Sequence, residues 1–161
     1  PTEYLGAPLA RRFPLHLLSF QPATRLHGQL DTGRVAAADK IAGRERLRMH
    51  PEDAAARGLV DGDLLRVFND RGAVCAGLMV TDEIRPGVVA MATGAWWNPA
   101  APGTTDSACL HGNPNVLTQD VGTSRLGQGS AAQSCLVEIA AWEGALPPVT
   151  VHAPPPGAQA P

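Results

Sequence analysis

LLRVFNDRGAVCAGLMV, residues 64–80, reads as two strands, 64–69 and 73–80, joined across the turn Asn69-Asp70-Arg71-Gly72. In the second strand Val74, Ala76, Leu78 and Val80 fall on one face and Cys75, Gly77 and Met79 on the other. Neither face is polar, so the strand has no side to give to water and belongs in a closed or covered sheet. A barrel meets that requirement.

Reading outward, LHLLSF at 15–20 is an apolar run broken only by His16 and Ser19 and closed by Pro22, short enough for a buried strand. His50-Pro51-Glu52-Asp53 opens a short helix that Ala54 to Arg57 continue. Proline suits the first helical position, two acids suit the positive end of the dipole, and Gly58 is the expected stop. Arg85-Pro86-Gly87 turns into a strand at 88–92, and 134–139 returns to a strand pattern. The segment 94–133 is rich in proline and glycine, too long for an idle loop in a compact domain, and is expected to be ordered by ligand contact. From Gly144 the chain turns proline- and alanine-rich and reads as a mobile tail.

The composition narrows the function classes. A chain of 161 residues fits one domain that buries its own core. A net charge of -2 removes the broad electrostatic reason to expect nucleic acid or an anionic membrane surface as partner, and no apolar run reaches the roughly 20 residues of a membrane span. Cys75, Cys109 and Cys135 have no metal-knuckle spacing and are expected to be buried free thiols. Because the first residue is Pro1 and not methionine, the lack of a leader says nothing about compartment.

Two stretches, FPLHLLSFQPATRLHGQLD (13–31) and CLHGNPNVLTQDVGTSRLGQGSAAQSCLVEI (109–139), concentrate amide, hydroxyl, imidazole and glycine groups beside hydrophobic runs. Gln21, Arg25, His27, Gln29, Asn113, Asn115, Gln128 and Gln133 together supply both donors and acceptors, with Gly28 and Gly112 allowing close main-chain approach. That inventory suits one large polar ligand held by many hydrogen bonds. A mismatched ligand would leave buried amides unpaired at roughly 1–3 kcal/mol each, so such a site is selective.

These two stretches, together with PEDAAARGLVDGDLLRVFNDRG (51–72), IRPGVVAMATGAWW (84–97) and HGNPNVLTQDVGTS (111–124), closely resemble the C-terminal molybdopterin-dinucleotide-binding domain of the dimethyl sulfoxide reductase family. The nearest likeness is to its S- and N-oxide reductases, of the biotin sulfoxide and trimethylamine N-oxide classes. The resemblance implies a mainly β fold, a six-stranded double-psi β-barrel with short peripheral helices. It also implies an N-terminal extension at 1–12, the barrel at 13–143 and the tail at 144–161. By the same token the domain binds part of a bis(molybdopterin guanine dinucleotide) cofactor with molybdenum, through Ser19, Phe20, Gln21, Pro22, Arg25, His27, Gly28, Gln29, Asn113, Asn115 and Gln133.

No catalytic residue and no metal ligand is assigned to this stretch. The metal ligand and most of the substrate funnel would belong to the remaining domains of the same reductase, the expected partners. The isolated domain is expected to be inactive and to retain no cofactor. Localisation stays open: cytoplasmic if the parent is of the biotin sulfoxide class, periplasmic if of the trimethylamine N-oxide or dimethyl sulfoxide class. Alanine at Arg25, His27 or Gln29 is expected to lower cofactor content more than it damages folding.

Departures from the family pattern are Gly28 where serine is common, Gln21 where histidine is common, and Trp96-Trp97-Asn98-Pro99 where an aspartate precedes the proline. Plainer readings stand beside the ligand roles. Arg25 could close a surface ion pair with Asp31, of little energetic value. His16 and His50 read as structural. His27 and His111 lack a third ligand at zincin or zinc-finger spacing. In an extended segment Trp96 and Trp97 would point to opposite faces, one to the core and one to a ligand mouth. GTSRLGQGS (122–130) imitates a phosphate loop but has Gln128 in place of the lysine. A free-standing molybdopterin-binding subunit is the alternative to a domain of a larger chain. A more remote one is a barrel that cleaves itself at Gly129-Ser130 to form a pyruvoyl decarboxylase.

Overall fold

The computed structural model describes residues 3–104 and 107–154. Six strands close into a barrel: β1 (Leu15–Phe20), β2 (Arg46–Met49), β3 (Leu64–Asn69), β4 (Gly72–Val80), β5 (Val88–Ala92) and β6 (Cys135–Ala141), in the order β1-β5-β2-β4-β3-β6. The pairs β1·β5 and β2·β4 run parallel and the other four antiparallel, the double-psi arrangement. Two short helices, α1 (Arg34–Ala38) and α2 (Pro51–Ala55), lie outside the barrel, with 3-10 turns at Pro8–Arg11 and Pro114–Val116.

Alternate residues of every strand point inward: Leu15 and Leu17, Leu47 and Met49, Leu65 and Val67, Val74, Ala76 and Leu78, Val89 and Met91, Cys135, Val137 and Ile139. This period of two fills the barrel with side chains. The outer face of β4 is covered as well. Cys109 runs beside it, accepting from Cys75 N at 2.8 Å and donating to Ala73 O at 2.9 Å, and Ile41 packs where a side chain at Gly77 would stand. The apolar reading of both faces of 73–80 therefore has a physical cause.

The helix at 51 forms as its sequence dictates. His50 Nδ1 accepts from Glu52 N at 3.2 Å as the cap, Pro51 takes the first position, and Gly58 ends the segment at φ +64°. β2 escapes sequence reading because it is only four residues long, Arg-Leu-Arg-Met, with Leu47 and Met49 buried inside and the arginines outside.

Strand directions place the loops. The C-terminal ends of β1, β3 and β5 and the N-terminal ends of β2, β4 and β6 all reach one rim of the barrel. That rim carries the segments 21–45, 93–117 and 130–134, so both polar stretches emerge at the same end.

Both chain ends contribute contacts where composition suggests appendages. Glu3 is buried, pairs with Arg71 at 2.6 Å and accepts from Leu136 N at 2.8 Å. The segment 147–152 docks as a strap: Pro147 O accepts from Arg44 at 2.5 Å, and Asn98 Oδ1 accepts from Thr150 N at 2.7 Å and Val151 N at 3.0 Å. A proline-rich segment can dock this way because its few free N–H groups find one buried amide acceptor. Residues 155–161 of the expected tail lie outside the described residues. No helix among the described residues is long and apolar enough to cross a membrane.

Candidate functional site

The turn that follows β1 is held in an uncommon backbone shape. His27 (φ 50°), Leu30 (φ 64°) and Ala42 (φ 47°) are the non-glycine residues with left-handed backbone among those described, and all three lie between the ends of β1 and β2. Such conformations cost of order 1–3 kcal/mol each and persist only where the surroundings over-determine them. Gly94 is one such surrounding. At φ +90° it lies so near the turn that a Cβ there would sit 2.0 Å from His27 O. Trp96 Nε1 adds a hydrogen bond to Gly28 O at 2.8 Å.

Beneath the turn lies a charged cluster shielded from water. The side chains of Arg25 and Asp31 are wholly buried and those of Lys40 and Glu45 nearly so. Arg25 lies 3.4 Å from Asp31 and 3.1 Å from Glu45, Lys40 lies 2.9 Å from Asp31, and Lys40 also bonds Glu45. Two cations balance two anions, which is what makes burial of all four tolerable. Arg25 also clasps backbone, donating from Nε to His27 O at 3.2 Å and from Nη2 to Thr93 O at 2.7 Å. Burial works to raise the Asp31 carboxyl, but the hydrogen bond and charge of Lys40, with His111 and Arg25 behind, hold it below its usual range.

The second polar stretch joins the first through Glu45, whose N donates to His111 O at 3.2 Å. A Cβ on Gly112 would fall 2.6 Å from Glu45 Cβ, so the residue there must lack one. His111 is almost fully buried, with Nδ1 3.1 Å from Trp96 O. Burial, aided by the Lys40 charge, pushes its imidazole down to about 4, against the pull of Asp31.

A base held below its unfolded value of about 6.5 contributes stability above that pH and loses it as pH falls towards 4. The loss that Asp31 contributes begins only below its ordinary 3.8. Urea midpoints of the metal-free chain should therefore decline between pH 6.5 and about 4, and His111→Gln should flatten that decline. An unchanged slope in the variant would refute this assignment.

All eleven residues marked out from sequence lie at the end of β1 or on the rim segments, and their surroundings differ. Gln133 is committed to the barrel, its side chain donating to Ser19 O at 2.5 Å and accepting from Ser19 N at 3.0 Å, while Gln133 O meets His16 Nε2 at 2.5 Å. Phe20 lies under the Arg48 guanidinium at 5.2 Å, and Pro22 is buried. Gln21 bonds His27 Nδ1 at 2.9 Å, both exposed. Gln29 and Asn115 are exposed and Gly28 and Asn113 half-buried. Asn113 Oδ1 caps the 3-10 turn through Asn115 N at 3.0 Å.

Two readings change. The Arg25–Asp31 pair is buried rather than on the surface. Trp96 and Trp97 do not divide between core and mouth: they are 46% and 51% exposed, and the next residue, Asn98, is the buried one. The 122–130 run, set apart from a phosphate loop by Gln128, is an exposed loop closed by a Gly122–Ser130 bridge, with the Thr123 and Ser124 hydroxyls bonded to Gly127 O. As expected, the three cysteines are free and buried, His50 caps a helix, and His16 bonds backbone.

Sequence reading missed Lys40 and Glu45 of the buried cluster, and it missed Thr24. Lys40 is the only lysine in the chain, a weak signal that a compact cation has one particular place. Among the described residues, Thr24 Oγ1 is buried without a hydrogen-bond partner. It lines a cleft of about 80 Å³ together with Phe20, Pro22, Glu45, Arg46 and Arg48. Asp39, which pairs with Arg46, also lines the cleft, so two acids stand beside its two arginines, and the orphaned hydroxyl fits a ligand that brings an acceptor.

The comparisons with known proteins agree with this geometry. The molydopterin dinucleotide binding domain profile matches residues 15–136. Biotin sulfoxide reductase of Cereibacter sphaeroides is 46% identical over 89% of this chain and 19% of its own length. Trimethylamine-N-oxide reductase 1 of Escherichia coli (strain K12) is 44% identical over 90% of this chain and 17% of its own. Dimethyl sulfoxide/trimethylamine N-oxide reductase of Cereibacter sphaeroides is 42% identical over 98% and 19%. The chain thus spans under a fifth of the length of these curated relatives. Among solved structures, acetylene hydratase from Pelobacter acetylenicus superposes with a TM-score of 0.69 at 18% identity, over 88% of this chain and 20% of that one, a likeness of fold. With the barrel, its single polar rim and the matched segment in agreement, the chain belongs to the molydopterin dinucleotide binding domain family.

Proposed function

We propose that this chain is the C-terminal cofactor-holding domain of a molybdenum S- or N-oxide reductase, and that its rim binds one guanine dinucleotide arm of a bis(molybdopterin guanine dinucleotide) cofactor. The observation that carries the reading is the rim itself, where two polar stretches meet over a buried, charge-balanced floor with an unpartnered hydroxyl in the adjoining cleft. Gln21, His27, Gln29, Asn113 and Asn115 would face the pterin and nucleotide with amides and imidazole. Thr24 and Arg48 would meet acceptor oxygens at the cleft.

Bound there, such a cofactor supplies two-electron chemistry in which a sulfoxide or amine N-oxide gives up its oxygen as water. The chain's own part is positioning. Arg25 holds the two turns through His27 O and Thr93 O, and Gly94 and Trp96 fix the main chain at His27 and Gly28. A floor locked by side-chain packing and hydrogen bonds keeps the ligand-facing groups in one geometry. The remaining reductase domains are the partners, and the 161-residue chain alone is expected to be folded, colourless and inactive.

The test uses the full-length polypeptide that carries this domain. His27→Ala and Gln29→Ala, both exposed, should each lower molybdenum and guanine-nucleotide content per polypeptide several-fold while the apo-protein melts within about 1–2 °C of the parent, as surface changes do. Full occupancy of both groups in these variants would exclude the reading.

A further inference from the structure

We infer that Asp31, His111 and His152 form a binding site for a first-row transition-metal dication of the zinc or nickel type, separate from the dinucleotide arm. Each residue offers one donor atom, and the three atoms lie within 4.8 Å of one another. His152 Nε2 is 3.1 Å from Asp31 Oδ2, and His111 Nδ1 is 3.7 Å from the same oxygen. The two imidazole rings stand edge to face with centroids 5.0 Å apart. Zinc and its neighbours take two imidazoles and a carboxylate, whereas calcium and magnesium take oxygen donors throughout.

The surroundings of the three donors are those a ligand set needs. Lys40 holds Asp31 Oδ1 at 2.9 Å, which leaves Oδ2 turned towards the histidines. His111 Nδ1 also lies 3.1 Å from the Trp96 carbonyl, so a metal that takes this nitrogen replaces that hydrogen bond. A cleft of about 310 Å³, lined by these donors with Thr32, Lys40 and Val149, gives an ion access and room for water at open coordination positions. The His152 side chain, 26% exposed, stands at its mouth.

The three donors come from the turn after β1, the strand-like stretch beside β4 and the docked strap. A metal would therefore pin the strap to the barrel, and by linkage it would stabilise the fold. None of the residues marked out for the dinucleotide is used, so this site stands or falls independently of that function.

The experiment titrates the EDTA-treated 161-residue chain with zinc chloride by calorimetry and with cobalt(II) chloride by visible absorption, for the parent and for His152→Gln. Glutamine at 152 can still hydrogen-bond Asp31 but presents no imidazole. One-to-one zinc binding, a zinc-dependent rise in melting temperature and cobalt ligand-field bands are expected in the parent. In the variant, zinc affinity should fall on the order of 100-fold, at the upper end of what disturbed metal sites lose. Imidazole resonances of His111 and His152 should shift with zinc in the parent. Absence of saturable one-to-one binding, equal affinity in the variant, or shifts confined to His16, His27 or His50 would overturn the assignment.

Discussion

Replacing Arg25 by alanine should destabilise the domain by about 3–5 kcal/mol, because it strands Asp31 and Glu45 as partly uncompensated charges where water cannot reach them. For a domain of this size that corresponds to a fall in melting temperature of roughly 10 °C. The loss should lie at the upper end of that range, since two backbone carbonyls, His27 O and Thr93 O, also lose their donor. Arg25→Lys should fall between the two: it restores a charge but not the planar fork that reaches both carbonyls. Urea unfolding of the three proteins measures this, and an alanine variant within about 1 kcal/mol of the parent would mean that the cluster is not the floor of the rim. With no exposed surface, the Arg25 side chain also supports the cradle from below.

Gly94→Ala should do comparable damage by another route. The added methyl would come within 2.0 Å of His27 O and 2.3 Å of His27 C, both backbone atoms that cannot rotate aside. The turn at 27–28 must then part from 94–96, and the Trp96 to Gly28 hydrogen bond goes with it. Gly103→Ala is the control, since Gly103 has a similar φ of +86° but nothing among the described residues within 4 Å of its would-be Cβ. That variant reports left-handed strain alone, roughly 1–2 kcal/mol. Gly94→Ala should lose clearly more, and amide exchange at residues 28 and 96 should quicken in it but not in the control. Equal losses in the two variants would show that the close approach is unimportant.

The parts of the fold legible in sequence were those where one strand or turn satisfies its own rule. The strands at 15–20, 64–69 and 88–92 fall where apolar runs meet turn residues, and the second strand of the hairpin begins one residue earlier, at Gly72. β6 starts at Cys135, one residue after the expected 134, and runs to Ala141 because Leu65 and Arg66 of β3 offer it partners beyond Ile139. β2 was invisible because four alternating residues between arginines look like any exposed segment until β4 and β5 flank them. The strap at 147–152 was missed for a related reason: its anchors, Asn98 and Arg44, are about fifty and about a hundred residues away.

By itself, the sequence determined that the chain closes a β-sheet around an apolar interior, and that its polar groups gather in two stretches suited to a large hydrogen-bonding ligand. Both follow from local periodicity and side-chain chemistry, which neighbouring residues carry. Tertiary structure alone decided that Arg25 is a buried clasp rather than a surface contact, and that Lys40 and Glu45 complete its cluster. It alone brought His152 across the fold to Asp31 and His111. Charge balance, desolvation and donor geometry depend on which distant groups share a few cubic ångströms, and closure of the barrel settles that.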